Sequence, residues 1–152
     1  MLGKLVNDNK YTNAILDFVG ITLIDKFRNY LKLDLDDKEG EIIVQILHIL
    51  SCVIKKNEEY ASKIKQLDIV SHFSRYLQHP SNENIRHMTL TLIGNMAKHS
   101  PYFFDDFASQ NVFPCLVDTL KRYWQGSKCK ILKGIIYVMG NVSFYTDRYI
   151  NC

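Results

Sequence analysis

Two asparagines occupy matching places in this sequence: Asn95 follows Gly94, and Asn141 follows Gly140. A carboxamide offers two donors and an acceptor, so it can pair with a polypeptide main chain without reading side chains. Residues four and eight positions earlier share a helix face with each asparagine. That spacing joins His87 and Thr91 to Asn95, and Lys133 and Tyr137 to Asn141. An equivalent strip further upstream is Val44, His48 and Cys52, where cysteine replaces the asparagine. Such side chains suit recognition of a partner, or the tying of backbone groups inside the fold; both readings stand open.

Bond-making chemistry finds less support. The five histidines, His48, His72, His79, His87 and His99, show no His-Glu-x-x-His or similar metal spacing. Asp34, Asp36 and Asp37 resemble a calcium loop only in part, because Gly40 falls one place late and no glutamate follows at the required distance. Asp105 and Asp106 sit early in a short helix, where their charge suits the helix dipole. Cys52, Cys115, Cys129 and Cys152 form no Cys-x-x-Cys pair, and the first three read as reduced thiols packed like small apolar groups. Trp124, Tyr123 and Tyr137 could stack on a base, but aromatics at helix ends more often serve packing. No nucleophile and base can be paired. The reading is of a protein that is not an enzyme and takes no cofactor or metal.

The elements that position these residues come from an internal repeat. At 152 residues, one domain can bury a core of its own. Apolar residues at 47% and charged residues at 23% match an ordinary globular protein and suggest neither disorder nor a membrane class. The longest apolar run, Ile42 to Ile54, is broken by Gln45, His48 and Ser51 and falls short of the roughly 20 residues a bilayer needs. Met1 to Asn9 lacks the make-up of a secretory signal, so the expected setting is cytoplasmic, with nuclear or ciliary association as variants. The charge of +3 and pI of 8.6 are mild, and the cluster Lys121, Arg122, Lys128, Lys130 and Lys133 reads first as a solvated face. A nucleic-acid-binding solenoid is the alternative that this cluster alone would support.

Shifting the chain by 43 lays Ile42 to Leu77 over Ile85 to Leu120 without a gap. Leu47 meets Leu90, Tyr60 meets Phe103, Ile69 meets Val112 and Leu77 meets Leu120. A shift of 46 brings Ile85 onto Ile131, Gly94 onto Gly140 and Asn95 onto Asn141. A period of this length signals stacked helical units, each exposing an apolar flank that only its neighbour can cover. The longest helix of each unit shows the i, i+3, i+4, i+7 spacing, with Ile43, Ile46, Leu47 and Leu50 in one copy and Ile85, Met88, Thr89 and Leu92 in the next. Asn82 after Pro80, Ser100 before Pro101, and Asn57 before Glu58 are start signals, and Gly126 with Ser127 separates two helices. Long helices are expected near 41–56, 83–98 and 128–144. The units read as a half repeat over 1–39, repeats over 40–82 and 83–127, and a truncated repeat over 128–152. Tyr149 and Ile150 match Phe103 and Phe104, so a short helix is expected to open there and break off. The chain then reads as a piece of a longer solenoid, with an apolar patch around Phe144, Tyr145, Tyr149 and Ile150 that favours self-association.

Two stretches give this repeat a family likeness. Leu90-Thr91-Leu92-Ile93-Gly94-Asn95-Met96-Ala97 resembles the third helix of an armadillo repeat, which commonly ends in Leu-x-Asn-Leu-Ala. Asn111-Val112-Phe113-Pro114-Cys115-Leu116-Val117 resembles the Gly-Ala-Ile-Pro-x-Leu-Val opening of its second helix. The two-helix HEAT class is a weaker match. The resemblance implies an all-α, armadillo-like right-handed solenoid of three-helix repeats, acting as a scaffold for a protein or peptide partner. It implies that the third helices line a concave groove, with His87, Thr91, Asn95, Lys133, Tyr137 and Asn141 as partner-binding residues whose polar ends face solvent. Nuclear-import receptors of the family place tryptophan four residues before the asparagine; Thr91 and Tyr137 stand there instead, which argues against nuclear-localisation peptides. Ile93 to Ser100, Tyr102 to Phe104 and Val138 to Phe144 are also similar to the C-terminal armadillo region of Fused-type and unc-51-like kinases. That likeness implies a regulatory arm, since no glycine-rich loop, His-Arg-Asp or Asp-Phe-Gly is present.

Overall fold

The computed structural model describes residues 24–35, 37–55, 58–79, 82–126 and 129–150. Among these, every regular element is a helix. A helical turn at 24–27 precedes α1 (Asp37–Val53), α2 (Glu58–Gln66), α3 (Val70–Gln78) and α4 (Glu83–His99). A 3-10 turn (Pro101–Phe103) then leads into α5 (Phe104–Ser109), α6 (Val112–Tyr123) and α7 (Cys129–Ile150). The long helices α1, α4 and α7 pack side by side in one layer, while α3 and α6 pack on each other and back that layer.

Local chemistry explains the boundaries. Asn82 caps α4, its side chain accepting from the Ile85 backbone N–H at 3.0 Å. The same side chain donates from Nδ2 to Leu35 O at 3.0 Å, tying the start of α4 to the chain ahead of α1. His79, the residue before Pro80, is extended (φ −58°, ψ 126°), as the proline ring demands, and α3 ends there. Ser100 is also extended and Pro101 occupies the first position of the 3-10 turn, but the serine hydroxyl makes no capping bond and is buried. Among the described residues, Asp68 (φ 55°) and Asn111 (φ 57°) are the two with positive φ other than glycine, and they coincide under the 43-residue shift. Asp68 turns the chain from α2 into α3 and Asn111 from α5 into α6, a left-handed place that short polar side chains tolerate.

One apolar core runs through the stack. Ile43, Leu47 and Leu50 of α1, Phe73 and Leu77 of α3, Ile85, Leu90 and Ile93 of α4, and Ile131, Ile135 and Val138 of α7 are all fully buried. Phe107 of α5 is the aromatic hub: it stacks on Phe103 at 6.3 Å and meets Phe113 edge-on at 6.2 Å. Burying such side chains contributes about 1.5–3 kcal/mol each before chain entropy is counted. Tyr76 is fully buried as well, and its hydroxyl donates to Leu31 O at 2.6 Å, so no polar atom is stranded there.

Two expectations need correction. The last long helix does not end at Phe144 but runs on to Ile150, so no short helix opens at Tyr149. Under the 46-residue shift the break at Ser100-Pro101 falls on Thr146-Asp147, and without proline nothing removes a helical N–H. Cys115 is buried as expected, its thiol 3.3 Å from Ser74 Oγ, but Cys129 is exposed at the start of α7. Cys152, most of the first half repeat, and the side chains of Tyr145, Tyr149 and Ile150 lie outside the described residues. Phe144, which was expected beside them, is 61% exposed. No described helix is long and apolar enough to cross a membrane.

Candidate functional site

Asn95 sits in the C-terminal half of α4 and touches both neighbours in its layer. Its Nδ2 donates to Ser51 O of α1 at 3.2 Å and lies 2.5 Å from Ser51 Oγ, while its Oδ1 accepts from the Tyr137 hydroxyl of α7 at 2.9 Å. Only 1% of the residue is exposed. The expectation that its polar end faces solvent is therefore overturned: the amide is consumed by joining three helices. The physical reason is that partners stand on both sides, and a buried amide is stable only when its donors and acceptor are engaged.

Tyr137 owes its place to a glycine. A Cβ on Gly94 would lie 2.4 Å from Tyr137 Cδ1, so the ring rests directly on the bare helix backbone. Gly134, one turn before the tyrosine, does the same service in reverse: its Cβ would come within 3.0 Å of Leu90 Cβ. These two gaps let α4 and α7 approach closely. Asn141 completes the contact by donating from Nδ2 to Gly94 O at 3.2 Å. Tyr137 nevertheless keeps 39% of its surface exposed, and Asn141 is half-buried.

The remaining predicted residues lie on the same helices. Lys133 is exposed on α7, one turn before Tyr137. Thr91 is half-buried and its hydroxyl donates to His87 O at 2.9 Å, a bond within its own helix. His87 is half-buried with its Nδ1 out of contact with water. On α1, Cys52 Sγ is 4.0 Å from His48 Nε2, and both residues are half-buried. No cluster of three or more His, Cys, Asp or Glu side chains that could hold a metal occurs among the described residues. Sequence reasoning missed Ser51, Gly94 and Gly134 as working parts. A signal for the glycines existed, since glycine inside a helix costs about 1 kcal/mol and usually marks a packing reason.

No family model matches the sequence, and no curated protein matches it. Solved structures do. A designed armadillo repeat protein, YIII(Dq)4CqI, superposes with a TM-score of 0.68 at 16% identity, over 92% of this chain and 54% of its own length. The fold is the armadillo solenoid. A second designed armadillo protein, solved in complex with the peptide (KR)4, matches with a TM-score of 0.61 at 17% identity over 93% of this chain. A third, computationally designed for modular peptide recognition, gives 0.60 at 21% identity over 92%. This chain spans 62% of the length of each of those two. The armadillo fold accounts for the layer of α1, α4 and α7, which are the third helices of successive units. Within that armadillo layer, the asparagines of α4 and α7 tie neighbouring repeats together.

Proposed function

We propose that this armadillo chain is a non-catalytic scaffold that binds an extended peptide or protein segment across its layer of third helices. The observation that supports the reading is Tyr137. It is an exposed aromatic held in one pose by Gly94 beneath its ring and Asn95 at its hydroxyl, with Lys133 and Asn141 one turn to either side. A side chain already fixed costs little entropy on binding, and tyrosine offers both an apolar body and a polar tip. Asn95 acts in this reading by positioning Tyr137, while His87, Thr91, Lys133, Tyr137 and Asn141 supply the contacts. Of the two peptide-related neighbours, one holds the basic peptide (KR)4. The strip here contains Lys133, His48 and His87 and no carboxylate, so it favours a neutral or acidic segment. The finer reading is that the scaffold is the regulatory region of a Fused-type serine/threonine kinase working in the cytoplasm. Its support is the sequence likeness at Ile93 to Ser100 and Val138 to Phe144.

The test is a screen of an extended-peptide library against the full chain, followed by titration of the best binder. Lys133→Glu should weaken an acidic peptide about tenfold, equivalent to about 1.4 kcal/mol, at unchanged melting temperature. Equal affinity for Lys133→Glu and for Tyr137→Ala overturns the proposal, as does a screen without binders. Tighter binding of a single-stranded oligonucleotide, falling steeply with salt, would instead favour the basic cluster as a nucleic-acid surface.

A further inference from the structure

Asn95 is engaged inside the fold, but two other carboxamides of the same layer face solvent. Gln45 of α1 and Asn84 of α4 are both exposed, and both line an open cleft of about 540 Å³ at the N-terminal halves of these neighbouring helices. Asn82 also lines it, yet its amide is already occupied, accepting from the Ile85 N–H and donating to Leu35 O. The apolar part of the cleft is Ile42, 42% exposed, and Val44, half-buried. Lys38 and Glu41 stand beside them, both exposed, so opposite charges meet at the rim. Aliphatic surface to bury, with a few polar groups to orient what lands on it, is the make-up of a specific binding cleft.

The cleft is in register with the peptide strip. Under the 43- and 46-residue shifts Val44 corresponds to His87 and then to Lys133, so the three form one rung across α1, α4 and α7. Packed helices stand about 8–10 Å apart and an extended chain advances about 3.3 Å per residue. Two helix spacings, from the cleft to Lys133, therefore take roughly five or six residues of extended chain. We infer that the cleft is the anchoring subsite of the scaffold, taking a branched aliphatic side chain of an extended peptide that carries an acidic residue roughly five or six positions away, against Lys133. Ile42 and Val44 pack on the anchor side chain. Gln45 and Asn84 pair with the main chain on either side of it, each offering donors and an acceptor. A charged anchor of either sign would meet a like charge at Lys38 or Glu41, so a neutral one is selected. This inference rests on the peptide reading above and adds to it the spacing that the partner must carry.

The probe is a display library of random peptides long enough to cross all three helices, selected on the full chain and sequenced in bulk. Leucine, isoleucine or valine paired with aspartate or glutamate at that spacing should dominate the selected sequences. In titrations of the most enriched peptide, the double variant Gln45→Ala, Asn84→Ala should weaken binding about five- to tenfold, and Val44→Asp about tenfold or more. The double variant replaces two exposed side chains with a better helix former, so its melting temperature should hold or rise. Selected sequences without the aliphatic–acidic pair overturn the inference. So does a peptide whose affinity falls with Tyr137→Ala but not with the cleft variants, and in that case the scaffold reading stands. A selection that yields no binder overturns both.

Discussion

The two equivalent glycines should respond in opposite directions to the same substitution. In Gly94→Ala the new methyl group would lie 2.4 Å from Tyr137 Cδ1 and 2.5 Å from Cε1, more than 1 Å inside the contact distance of about 3.5–4.0 Å. The ring must swing away, and its hydroxyl then leaves Asn95 Oδ1. Overpacking of this kind costs about 1–3 kcal/mol, and the lost hydrogen bond adds about 1 kcal/mol. Alanine returns about 0.8–1 kcal/mol through its higher helix propensity. The balance is a loss of about 1–3 kcal/mol. In Gly140→Ala there is nothing within 4 Å to displace, so the propensity gain stands alone at about 0.5–1 kcal/mol. Urea unfolding of the two variants beside the parent chain, followed by far-ultraviolet circular dichroism, reads both values. At about 2–4 °C per kcal/mol for a chain of this size, melting temperatures should separate by several degrees. If Gly94→Ala is as stable as the parent, or if Gly140→Ala is destabilised equally, the close packing of Tyr137 on α4 is wrong.

Asn95→Ala removes bonds to both α1 and α7 and leaves a gap in the buried layer, so it should destabilise by about 2–4 kcal/mol. A double-mutant cycle with Tyr137→Phe should show coupling of about 0.5 kcal/mol or more, and additive effects would refute the bond. Acid should weaken the fold. Burial, reinforced by Arg75 and Lys32 against the opposing Asp68, holds His72 below the ordinary imidazole range; burial, with Lys98 and Lys55, does the same to His99. Both sites therefore bind more protons unfolded than folded as pH falls below about 6.5, and stability drops through that window until the folded groups titrate. Thermal melts from pH 7.5 to 5 should show this decline, shallower in His72→Gln, and a melting temperature that rises on acidification would refute it.

Much of the architecture was readable because it rests on periodicity. The stripes of α1 and α4 follow helical spacing, and Asn82 and Pro101 stand where the helices start. The left-handed turn at Asn111 falls where the resembling family has glycine, whereas Asp68 offered no such clue. The end of α7 was misjudged since a match of Tyr149 to Phe103 carries no information about the missing proline that breaks the earlier helix. The site was only half legible. Spacing put Asn95, Tyr137 and Asn141 in one layer, but a strip at i, i+4, i+8 does not say whether a neighbouring helix covers it. Ser51 could not have been singled out, because its backbone oxygen is one that any residue would present and its hydroxyl carries no spacing signal.

That last point bears on how such a sequence can change over generations. Five of the bonds that stitch one repeat to the next run from a side-chain donor to a main-chain oxygen: Tyr76 to Leu31, Asn82 to Leu35, Lys65 to Tyr102, Asn95 to Ser51 and Asn141 to Gly94. The partners are 37 to 47 residues apart in sequence. Mutation at a donor erases its bond, whereas mutation at an acceptor leaves the carbonyl in place. Each of these five stitches thus depends on one codon, whereas the Tyr137–Asn95 bond needs a matched pair. Repeats wired this way can be duplicated, shuffled and diversified on the acceptor side while still docking on their neighbours.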